Sequence, residues 1–372
     1  MEGERVNSGS NTMDEMEQVI RIFPQKLREE LRSARTGDFW AEEIRLRAGM
    51  PLLMRAEGKD WCLGDGQPRK WRPLSSYDSG ISCSIITPED IRDTLEYMSR
   101  YSMYAFDEEL RQGFLTIEGG HRVGIAGKAV VLNREIHTIR EISGMNIRIV
   151  HEIKGCGDFV LPFLFFNGEF LDTLILSPPG AGKTTLLRDL IRQISNGGEN
   201  WRGRNVSVVD ERSELGMCVQ GIAQCDLGMR TDLLDGCPKA AGISMMLRSM
   251  APQVLAVDEI GTKEDLEAVR SGMNCGCRIL ATAHGASVEE LRRKAYFSEL
   301  IKEGLFSRYI VLCQHPAPGT VAGIYDDKLR PLFEDSGEKS GTSAGSIQEK
   351  AGAFVESYWE GQKGLAGSRE AV

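Results

Sequence analysis

The chain has 372 residues, of which 41% are hydrophobic and 27% are charged, values that are ordinary for a globular protein with room for two domains. Its formal net charge of −9 argues against nucleic acid as the main partner, because phosphate neutralisation requires clustered Lys and Arg. The first residues lack a signal-peptide pattern, and the longest apolar run, 159–166, is far below the roughly 20 residues that span a bilayer. We therefore expect a cytoplasmic protein.

The nine cysteines are scattered along the sequence, and Cys275 and Cys277 form the only close pair. A single C-x-C without a second pair or a flanking histidine is poor spacing for zinc. We expect reduced thiols that fill small apolar gaps, as is usual in the cytosol.

Residues 13–155 predict a small α+β domain, preceded by a disordered start at residues 1–12. Between Met13 and Ala34 the apolar residues recur at helical spacing, and Pro24 predicts a break between two short helices. The segment Glu43–Met54 predicts a strand, a turn and a second strand.

The rest of this domain is punctuated by glycine and proline. The segment Lys59–Ser84 predicts loops or an irregular hairpin. A helix is expected to start at Thr87, which caps it ahead of Pro88. The segment Gly113–Leu132 predicts a hairpin around Gly119 and Gly120, and Asn146–Val150 predicts another short strand.

From residue 158 to 330, short apolar strands alternate with helical stretches, which predicts a parallel sheet with crossover helices. The predicted strands are Leu174–Leu176, Val206–Val209, Val254–Val257, Ile279–Thr282 and Ile310–Cys313. Residues 335–372 are rich in Gly, Ser, Glu and Lys, so they predict a flexible tail, with a short helix at 348–359 as the one element in it.

A phosphate-binding loop follows the first of these strands and opens a helix predicted at Lys183–Ile194. Its residues are Ser177, Pro178, Pro179, Gly180, Ala181, Gly182, Lys183, Thr184 and Thr185. The pattern is G-x-x-x-x-G-K-[ST], except that Ser177 stands at the first glycine, a position that shapes the loop entry and contacts no phosphate. A strand before the loop and a helix after it are the context that a P-loop requires, so we predict a nucleotide site.

The glycines, the lysine and the threonine of this loop each suit a different part of nucleotide binding. Gly180 and Gly182 let the backbone curl so that successive N–H groups point at the β-phosphate, and the helix N-terminus adds partial positive charge. Lys183 is expected to reach the β- and γ-phosphates, and the Thr184 hydroxyl is expected to bind Mg²⁺.

Two further segments carry charged groups whose role the sequence leaves open. The predicted strand at 206–209 is followed by Asp210, Glu211 and Arg212, which either assist the site, supply an arginine to a neighbouring subunit, or cap the strand. Arg248 precedes the next predicted strand and has the same alternatives.

The strand Val254–Val257 is followed by two carboxylates, Asp258 and Glu259. We expect this strand to lie next to the P-loop strand, where Asp258 would hold Mg²⁺ and Glu259 would activate the attacking water. The alternative is a strand that ends in solvated acids.

Residues 258–265 also contain two short patterns that occur in GTPases. Residues 258–261 fit D-x-x-G, and residues 262–265 fit the guanine-specifying [NT]-K-x-D. In GTPases these two elements belong to different strands, whereas here they are contiguous in the sequence. ATP is therefore the predicted nucleotide.

The predicted strand Ile279–Thr282 continues into Ala283 and His284. A threonine or histidine at this strand end would sense the γ-phosphate and pass its loss to a moving element. The alternative is a histidine at a solvated strand end.

Four segments, SPPGAGKTTLLRDLIR, VSVVDERSELG, MMLRSMAPQVLAVDEIG and ILATAHG, occur in this order. Together they closely resemble the stage III sporulation protein AA family of endospore-forming bacteria, which is related to the hexameric secretion and pilus-motor ATPases. The N-terminal segments EEIRLRAGMPLLM, GFLTIEGGHRVGIAGKAV and ISGMNIRIVHEIKGCGD resemble the same family, so the likeness covers residues 40–325.

By that resemblance Asp210, Glu211 and Arg212 fall on the family's aspartate box and His284 on its histidine box. Arg248 falls on an arginine ahead of the Walker B strand. Secretion motors usually have Gly-Glu at the end of that strand, and this sequence departs from them with Asp258-Glu259. The resemblance implies a cytoplasmic ATPase on the mother-cell side that powers a channel complex between mother cell and forespore.

These observations predict a RecA-like P-loop NTPase domain of the α/β class at 158–330, with the smaller α+β domain ahead of it. The expected function is ATP hydrolysis with Mg²⁺ by a ring, expected to be hexameric, in which a neighbour's arginine completes the site. The ring would dock on a membrane-embedded channel or secretion-type complex from the cytoplasmic side. The catalytic candidates are Lys183, Glu259, His284, Arg248 and Arg212, and the metal ligands are Thr184 and Asp258.

Two other functions are compatible with the sequence. RecA-like folds also drive helicases, and an arginine set could then contact nucleic-acid phosphates: Arg21, Arg28, Arg32 and Arg35, or Arg45 and Arg47. These arginines are interleaved with acids, which favours a solvated face. The other rival is a scaffold that binds ATP without hydrolysing it, and the presence of both carboxylates at 258–259 argues against it.

Overall fold

The protein is described by a computed structural model that covers residues 17, 19–33, 41–56, 58–64, 71–74, 83–98, 113–132 and 134–334. The chain divides into two compact units, one formed by Met1–His151 with Met217–Gln220 and the other by Glu152–Gly216 with Gly221–Val372. The predicted disordered start at 1–12, and the predicted tail at 335–372 with its short helix, lie outside the described residues.

The first unit is built on one antiparallel sheet. Within the described residues, seven strands pair in the order β4-β3-β2-β1-β7-β6-β5. The strands are Ala41–Arg47 (β1), Leu53–Ala56 (β2), Lys59–Leu63 (β3), Trp71–Pro73 (β4), Phe114–Ile117 (β5), His121–Leu132 (β6) and Glu135–Arg148 (β7). The helices are Gln25–Ser33 (α1) and Pro88–Met98 (α2).

The predicted helix break is confirmed: residues 19–21 are helical, Pro24 is not, and α1 starts directly after it. Phe23 and Leu27, two of the apolar residues at helical spacing, are buried in one core with residues of β1 such as Ile44. The predicted cap of α2 is also present, because the Thr87 hydroxyl accepts a hydrogen bond from the Asp90 N–H at 3.1 Å. This unit is the α+β fold that the sequence predicts.

The strands predicted in this unit are present, but the observed strands are longer than predicted. The hairpin expected around Gly119 and Gly120 is formed by β5 and β6. The strand predicted at 146–150 overlaps the end of β7, which is 14 residues long, ends at Arg148 and pairs with β6 over most of its length. Its first part was missed because polar residues interrupt any alternation there and Glu141 has a positive φ of 47°.

His121, at the start of β6, is buried and its Nδ1 accepts a hydrogen bond from the Val150 N–H at 3.1 Å. Burial, with a smaller contribution from His151, lowers the pKa of His121 from 6.5 to about 4. The folded state therefore favours the neutral ring, and its stability is full above pH 6.5 and is lost as the pH falls towards 4. The difference of about 2.5 pH units corresponds to about 3 kcal/mol.

We expect His121→Gln to flatten the dependence of the thermal midpoint on pH between 6.5 and 4.5. Exposed His137 provides the matched control, and His137→Gln should leave the slope of the wild type unchanged. A His121→Gln protein that still loses stability in parallel with the wild type would contradict the assignment of this slope to His121.

The second unit contains a larger, mainly parallel sheet. Within the described residues, eight strands pair in the order β12-β11-β13-β14-β10-β15-β16-β17. They are Thr173–Ser177 (β10), Val206–Asp210 (β11), Thr231–Asp235 (β12), Val254–Val257 (β13), Arg278–His284 (β14), Arg308–Cys313 (β15), Thr320–Tyr325 (β16) and Pro331–Glu334 (β17). A short pair, Phe165–Phe166 (β8) and Glu169–Phe170 (β9), precedes this sheet.

Helices cover both faces of this sheet. They are Lys183–Asn196 (α3), Lys239–Ser249 (α4), Lys263–Asn274 (α5), Val288–Arg293 (α6) and Ala295–Lys302 (α7). The apolar residues of α3 share one buried cluster with alternate strand residues such as Ile175, and those of the other helices share a second cluster with the intervening ones such as Leu176. This three-layer arrangement is a RecA-like α/β fold.

The five predicted strands are all present and parallel, as β10, β11, β13, β14 and β15. The sequence missed the half-exposed edge strand β12 and the antiparallel pair β16–β17. One prediction about neighbours is wrong: β13 does not lie next to the P-loop strand β10, because β14 pairs with both and separates them. Across the part of the chain that the structure describes, no helix has the length and apolarity to cross a membrane.

Candidate active site

The candidate site lies where β10, β14 and β13 end at the same edge of the sheet. In the parallel register Ser177 pairs with His284, and Val257 pairs with Ala281. Asp258 therefore follows its strand at the level of Thr282. The strand β14 that separates the other two thus supplies its own polar residues to the middle of the site.

The loop from Ser177 to Lys183 has the backbone that phosphate binding requires. Gly180 and Gly182 have φ values of 73° and 82°, which L side chains rarely adopt. A Cβ atom on Gly182 would also lie 3.0 Å from the backbone nitrogen of Gly319, so the close approach of a second loop leaves no space for a side chain. No side chain of the described residues caps α3, and its first N–H groups remain available to an anion.

Lys183 is the first residue of α3, and its side chain is only 10% exposed. Its Nζ lies 3.5 Å from Asp258 Oδ1 and 3.8 Å from Glu259 Oε2. The Thr184 hydroxyl donates a hydrogen bond of 2.9 Å to the other oxygen of Asp258, Oδ2. The lysine, the threonine and both carboxylates that the sequence singled out therefore meet at one place.

Thr282 joins the two carboxylate residues. Its buried hydroxyl donates to Asp258 Oδ1 and accepts a hydrogen bond of 2.7 Å from the Glu259 N–H. Glu259 itself has φ +57°, an unusual value for a residue with a side chain, which marks a sharp turn directly after the strand. The sequence suggested Thr282 only as an alternative to His284, and the structure shows it at the centre of the site.

Both carboxylate oxygens of Glu259 have a partner. His284 Nε2 lies 3.1 Å from Oε1, and Arg212 Nη1 lies 2.8 Å from Oε2. The structure thus brings the predicted residues Arg212 and His284 into contact with Glu259 of the same chain. Arg212 remains accessible, with 59% of its side chain exposed.

The other charged candidates lie elsewhere. Asp210 is buried and accepts three backbone hydrogen bonds from the loop that follows β11, so it holds that loop in place. Glu211 pairs with Lys239 at the start of α4. Arg248 lies on the exposed side of α4, where its guanidinium bonds to Ser244 of the same helix, and within the described residues it makes no hydrogen bond or ion pair with Glu259.

The residues that resembled a guanine-specifying motif have a structural role. The Thr262 hydroxyl accepts a hydrogen bond from the Asp265 N–H at 3.1 Å, and Asp265 Oδ2 accepts from the N–H groups of Gly261 and Thr262. This is a capping box that starts α5. In this structure these residues begin α5, and the choice of ATP as the nucleotide stays a prediction.

The hydroxyl of Thr184 and the carboxylate of Asp258 are oxygen ligands of the kind that Mg²⁺ prefers. The described residues contain no cluster of three or more His, Cys, Asp or Glu that could hold a metal ion. Thr184 and Asp258 supply a hydroxyl and a carboxylate within 2.9 Å of each other. Mg²⁺ is typically bound by one or two such groups together with substrate phosphates and water.

Replacing Thr282 with valine tests the bridge without changing the side-chain shape. The change leaves the Glu259 N–H and one Asp258 oxygen without their buried partner, so we expect a loss of about 2 kcal/mol and a lower thermal midpoint. Thr282→Ser keeps the hydroxyl and should retain most of that stability. Equal midpoints for Thr282→Val and the wild type would show that the hydroxyl does not support this turn.

A family model and several known proteins are similar to this chain in sequence. The family model for sporulation stage III, protein AA, matches residues 13–332. Stage III sporulation protein AA of Bacillus subtilis (strain 168) is 38% identical over 327 residues, which covers 87% of this chain and 100% of that protein. The uncharacterized protein ycf45 of Porphyra purpurea is 26% identical over 256 residues, 68% of this chain and 43% of that protein.

Solved structures with partial similarity include an ATPase and a pilus retraction motor. The ATPase DotB of Legionella pneumophila is 15% identical with a TM-score of 0.47, over 73% of this chain and 72% of that one. The pilus retraction motor PilT, solved with bound ADP, is 14% identical with a TM-score of 0.47, over 77% of this chain and 76% of that one.

Proposed function

This chain belongs to the sporulation stage III protein AA family, and we propose that it hydrolyses ATP as a ring-forming motor of the secretion-ATPase type. One observation carries the proposal: Lys183 Nζ lies within 3.8 Å of both Asp258 and Glu259, at the end of a glycine loop that leaves the N-terminus of α3 open. These are the groups that phosphoryl transfer to water requires. The rate of ATP hydrolysis in Lys183 and Glu259 variants tests it directly.

In the proposed mechanism, the loop from Ser177 to Thr185 binds the phosphates through its N–H groups, and Lys183 turns from the carboxylates to the β- and γ-phosphates. Thr184 and Asp258 would hold Mg²⁺, which neutralises developing negative charge on the phosphates. Glu259 orients the attacking water and accepts its proton. The water oxygen bonds to the γ-phosphorus while the bond to the β,γ-bridging oxygen breaks and its electron pair stays with ADP. Glu259 then returns its proton to the phosphate, and ADP and phosphate leave.

His284 and Arg212 act on the same carboxylate from two sides. Their contacts with the two oxygens of Glu259 fix the direction of that group, and a change at the γ-phosphate that moves Glu259 has to move them too. We assign the sensing role to His284. Since Arg212 is already paired with Glu259 of its own chain, the exposed Arg248 is the better candidate for the arginine that enters a neighbour's site.

The proposed ring follows from the need for such a neighbour. Head-to-tail contacts between identical chains close into rings when the rotation permits. We expect the mass of six chains in the presence of Mg²⁺ and ATP, measured by light scattering after chromatography. A chain that stays monomeric with and without nucleotide would contradict the ring.

The smaller unit, at about residues 13–155, is assigned the contact with partners. By family membership the partner is proposed to be a membrane-embedded channel or secretion-type complex, approached from the cytoplasmic side of the mother cell. The larger unit, at about 158–330, is assigned nucleotide hydrolysis. Purified smaller and larger segments, tested separately for ATP hydrolysis, would check this division, and activity of the smaller one would contradict it.

A nucleic-acid-stimulated ATPase is the second candidate, favoured by one feature of the smaller unit. Arg45, Arg47 and Asn146 line a cavity of about 310 Å³ on its sheet. Arg45 also pairs with Glu43, which reduces its availability. Among the other arginines of this hypothesis, Arg28 bonds to backbone carbonyls, Arg32 pairs with Glu17, Arg21 is exposed, and Arg35 lies outside the described residues.

The rate of ATP hydrolysis with and without single-stranded DNA or RNA, at two salt concentrations, separates the two candidates. Stimulation that weakens as salt rises would favour the nucleic-acid hypothesis, because binding to phosphates releases counterions. An unchanged rate favours the secretion-type motor.

A further inference from the structure

Arg188 lies on α3, five residues after Lys183, and it is buried with 5% of its surface exposed. Its Nε donates to the Leu215 carbonyl at 2.9 Å, and its Nη2 donates to the Glu214 carbonyl at 2.7 Å. A buried guanidinium is costly unless its hydrogen bonds are made, so these two contacts hold the segment 214–215 firmly against α3.

Asp210 binds the N–H groups of the same segment, whereas Arg188 binds its carbonyls. It is 2% exposed, and its carboxylate accepts hydrogen bonds from the N–H groups of Glu214 at 2.9 Å, Leu215 at 2.7 Å and Gly216 at 3.0 Å. At residues 214 and 215, both the N–H and the carbonyl are thus bound by a buried charged side chain. A short loop held in this way has little freedom to change its path.

The held loop carries Arg212, the residue that contacts Glu259. Just after Arg212 the backbone turns sharply at Ser213, with φ +53°, and just before it Glu211 pairs with Lys239. The position of Arg212 Nη1, 2.8 Å from Glu259 Oε2, therefore depends on where the loop is fixed. Loss of the Arg188 contacts would release the loop on the side that faces α3.

We propose that Arg188 is a positioning residue for the hydrolytic reaction: with Asp210 it fixes the loop 211–216, so that Arg212 sets the direction of the Glu259 carboxylate. The inference rests on the proposed function of Glu259 as the group that activates water. Arg188 touches neither of the two carboxylates at 258–259 in the contacts of the described residues, and it acts through Arg212.

A double-mutant cycle tests this dependence. Arg188→Met, Arg212→Ala and the double variant are compared with the wild type for kcat, KM and the affinity for a fluorescent ATP analogue. We expect Arg188→Met to lower kcat about tenfold, since small misplacements of a reacting group cost that much or more, while nucleotide affinity stays within about twofold. In the Arg212→Ala background, Arg188→Met should have no further effect on kcat.

Arg192 supplies the matched control. It lies one turn further along α3, is 20% exposed, and pairs with Asp189 at 2.6 Å without contacting the loop. Arg192→Met should keep kcat even if it lowers the thermal midpoint. Arg188→Lys, which retains a cationic donor, should recover part of the lost kcat, and it replaces Arg188→Met in the cycle if the latter does not fold.

The results separate this inference from the proposed function. If Arg188→Met lowers kcat equally with and without Arg212, or if Arg192→Met reproduces its effect, the positioning role is overturned. If the wild type itself does not hydrolyse ATP, the proposed function fails first. Non-additive loss of kcat at unchanged nucleotide affinity supports the inference.

Discussion

Lys183→Ala is expected to reduce ATP hydrolysis at least about 100-fold, because it removes the side-chain cation that neutralises charge on the transferring phosphoryl group. The side chain lies between the two carboxylates, 3.5 Å from Asp258 and 3.8 Å from Glu259, with 10% of its surface exposed. A buried cation in this position interacts strongly with a phosphate, since little water screens it. Release of inorganic phosphate from ATP measures the rate.

Nucleotide affinity should fall together with the rate, because the same ammonium binds the ground-state phosphates. We expect the dissociation constant of a fluorescent ATP analogue to rise at least about tenfold. Lys263→Ala is the matched control, since Lys263 is exposed at the start of α5 and pairs only loosely with Glu267, at 3.6 Å. A Lys183→Ala protein that hydrolyses ATP at the rate of the wild type would rule out the P-loop as the site of the reaction.

Glu259→Gln is expected to lower kcat by about 10²- to 10³-fold and to leave the affinity for ATP nearly unchanged. Glutamine has almost the shape of glutamate, but its amide cannot accept the proton of the attacking water. It also keeps an oxygen or an NH₂ group for contacts with Arg212 and His284, so the turn after β13 should persist. The variant should accumulate as an ATP complex that turns over slowly.

Single-turnover hydrolysis, measured beside equilibrium binding, distinguishes this outcome from a loss of binding. Glu264→Gln, at an exposed position in the first turn of α5, controls for the change of charge near the site. If Glu259→Gln binds ATP more weakly and shows an unchanged kcat, Glu259 contributes to binding and another group activates water. Lys183→Ala and Glu259→Gln are therefore distinguished by nucleotide affinity, which only the lysine variant is expected to lower.

Much of this site was predictable because its signals are local in the chain. The glycines at 180 and 182 are required by the backbone of their own loop, with φ values of 73° and 82°. The apolar runs that became β10, β11, β13, β14 and β15 are buried on both faces, so hydrophobicity alone indicates them. Glu259 was identified for the same reason, as a carboxylate directly after a buried strand.

The edge elements were harder to predict. The strand β12 has the sequence TDLLD and is half exposed, so it lacks the apolar run that marks its neighbours. It is a strand because Val206–Asp210 pairs with it, and that pairing joins residues more than 20 positions apart. Likewise β7 extends well beyond the apolar segment that predicted it, because β6 provides backbone partners along its length.

Residue chemistry and local spacing were enough to indicate a glycine loop, a lysine and a pair of carboxylates, since each depends on the conformation of a few consecutive residues. Local signals do not predict the order of the strands in the sheet. In the structure β14 lies between β10 and β13, and this order brings Thr282 to the centre of the site. The proposed dependence of Arg212 on Arg188 likewise rests on contacts between a helix and a distant loop, since Arg188 bonds to the carbonyls of Glu214 and Leu215, 26 and 27 positions further along the chain. Contacts of this kind are set by which surfaces fit together in the folded chain, and no short stretch of sequence encodes them.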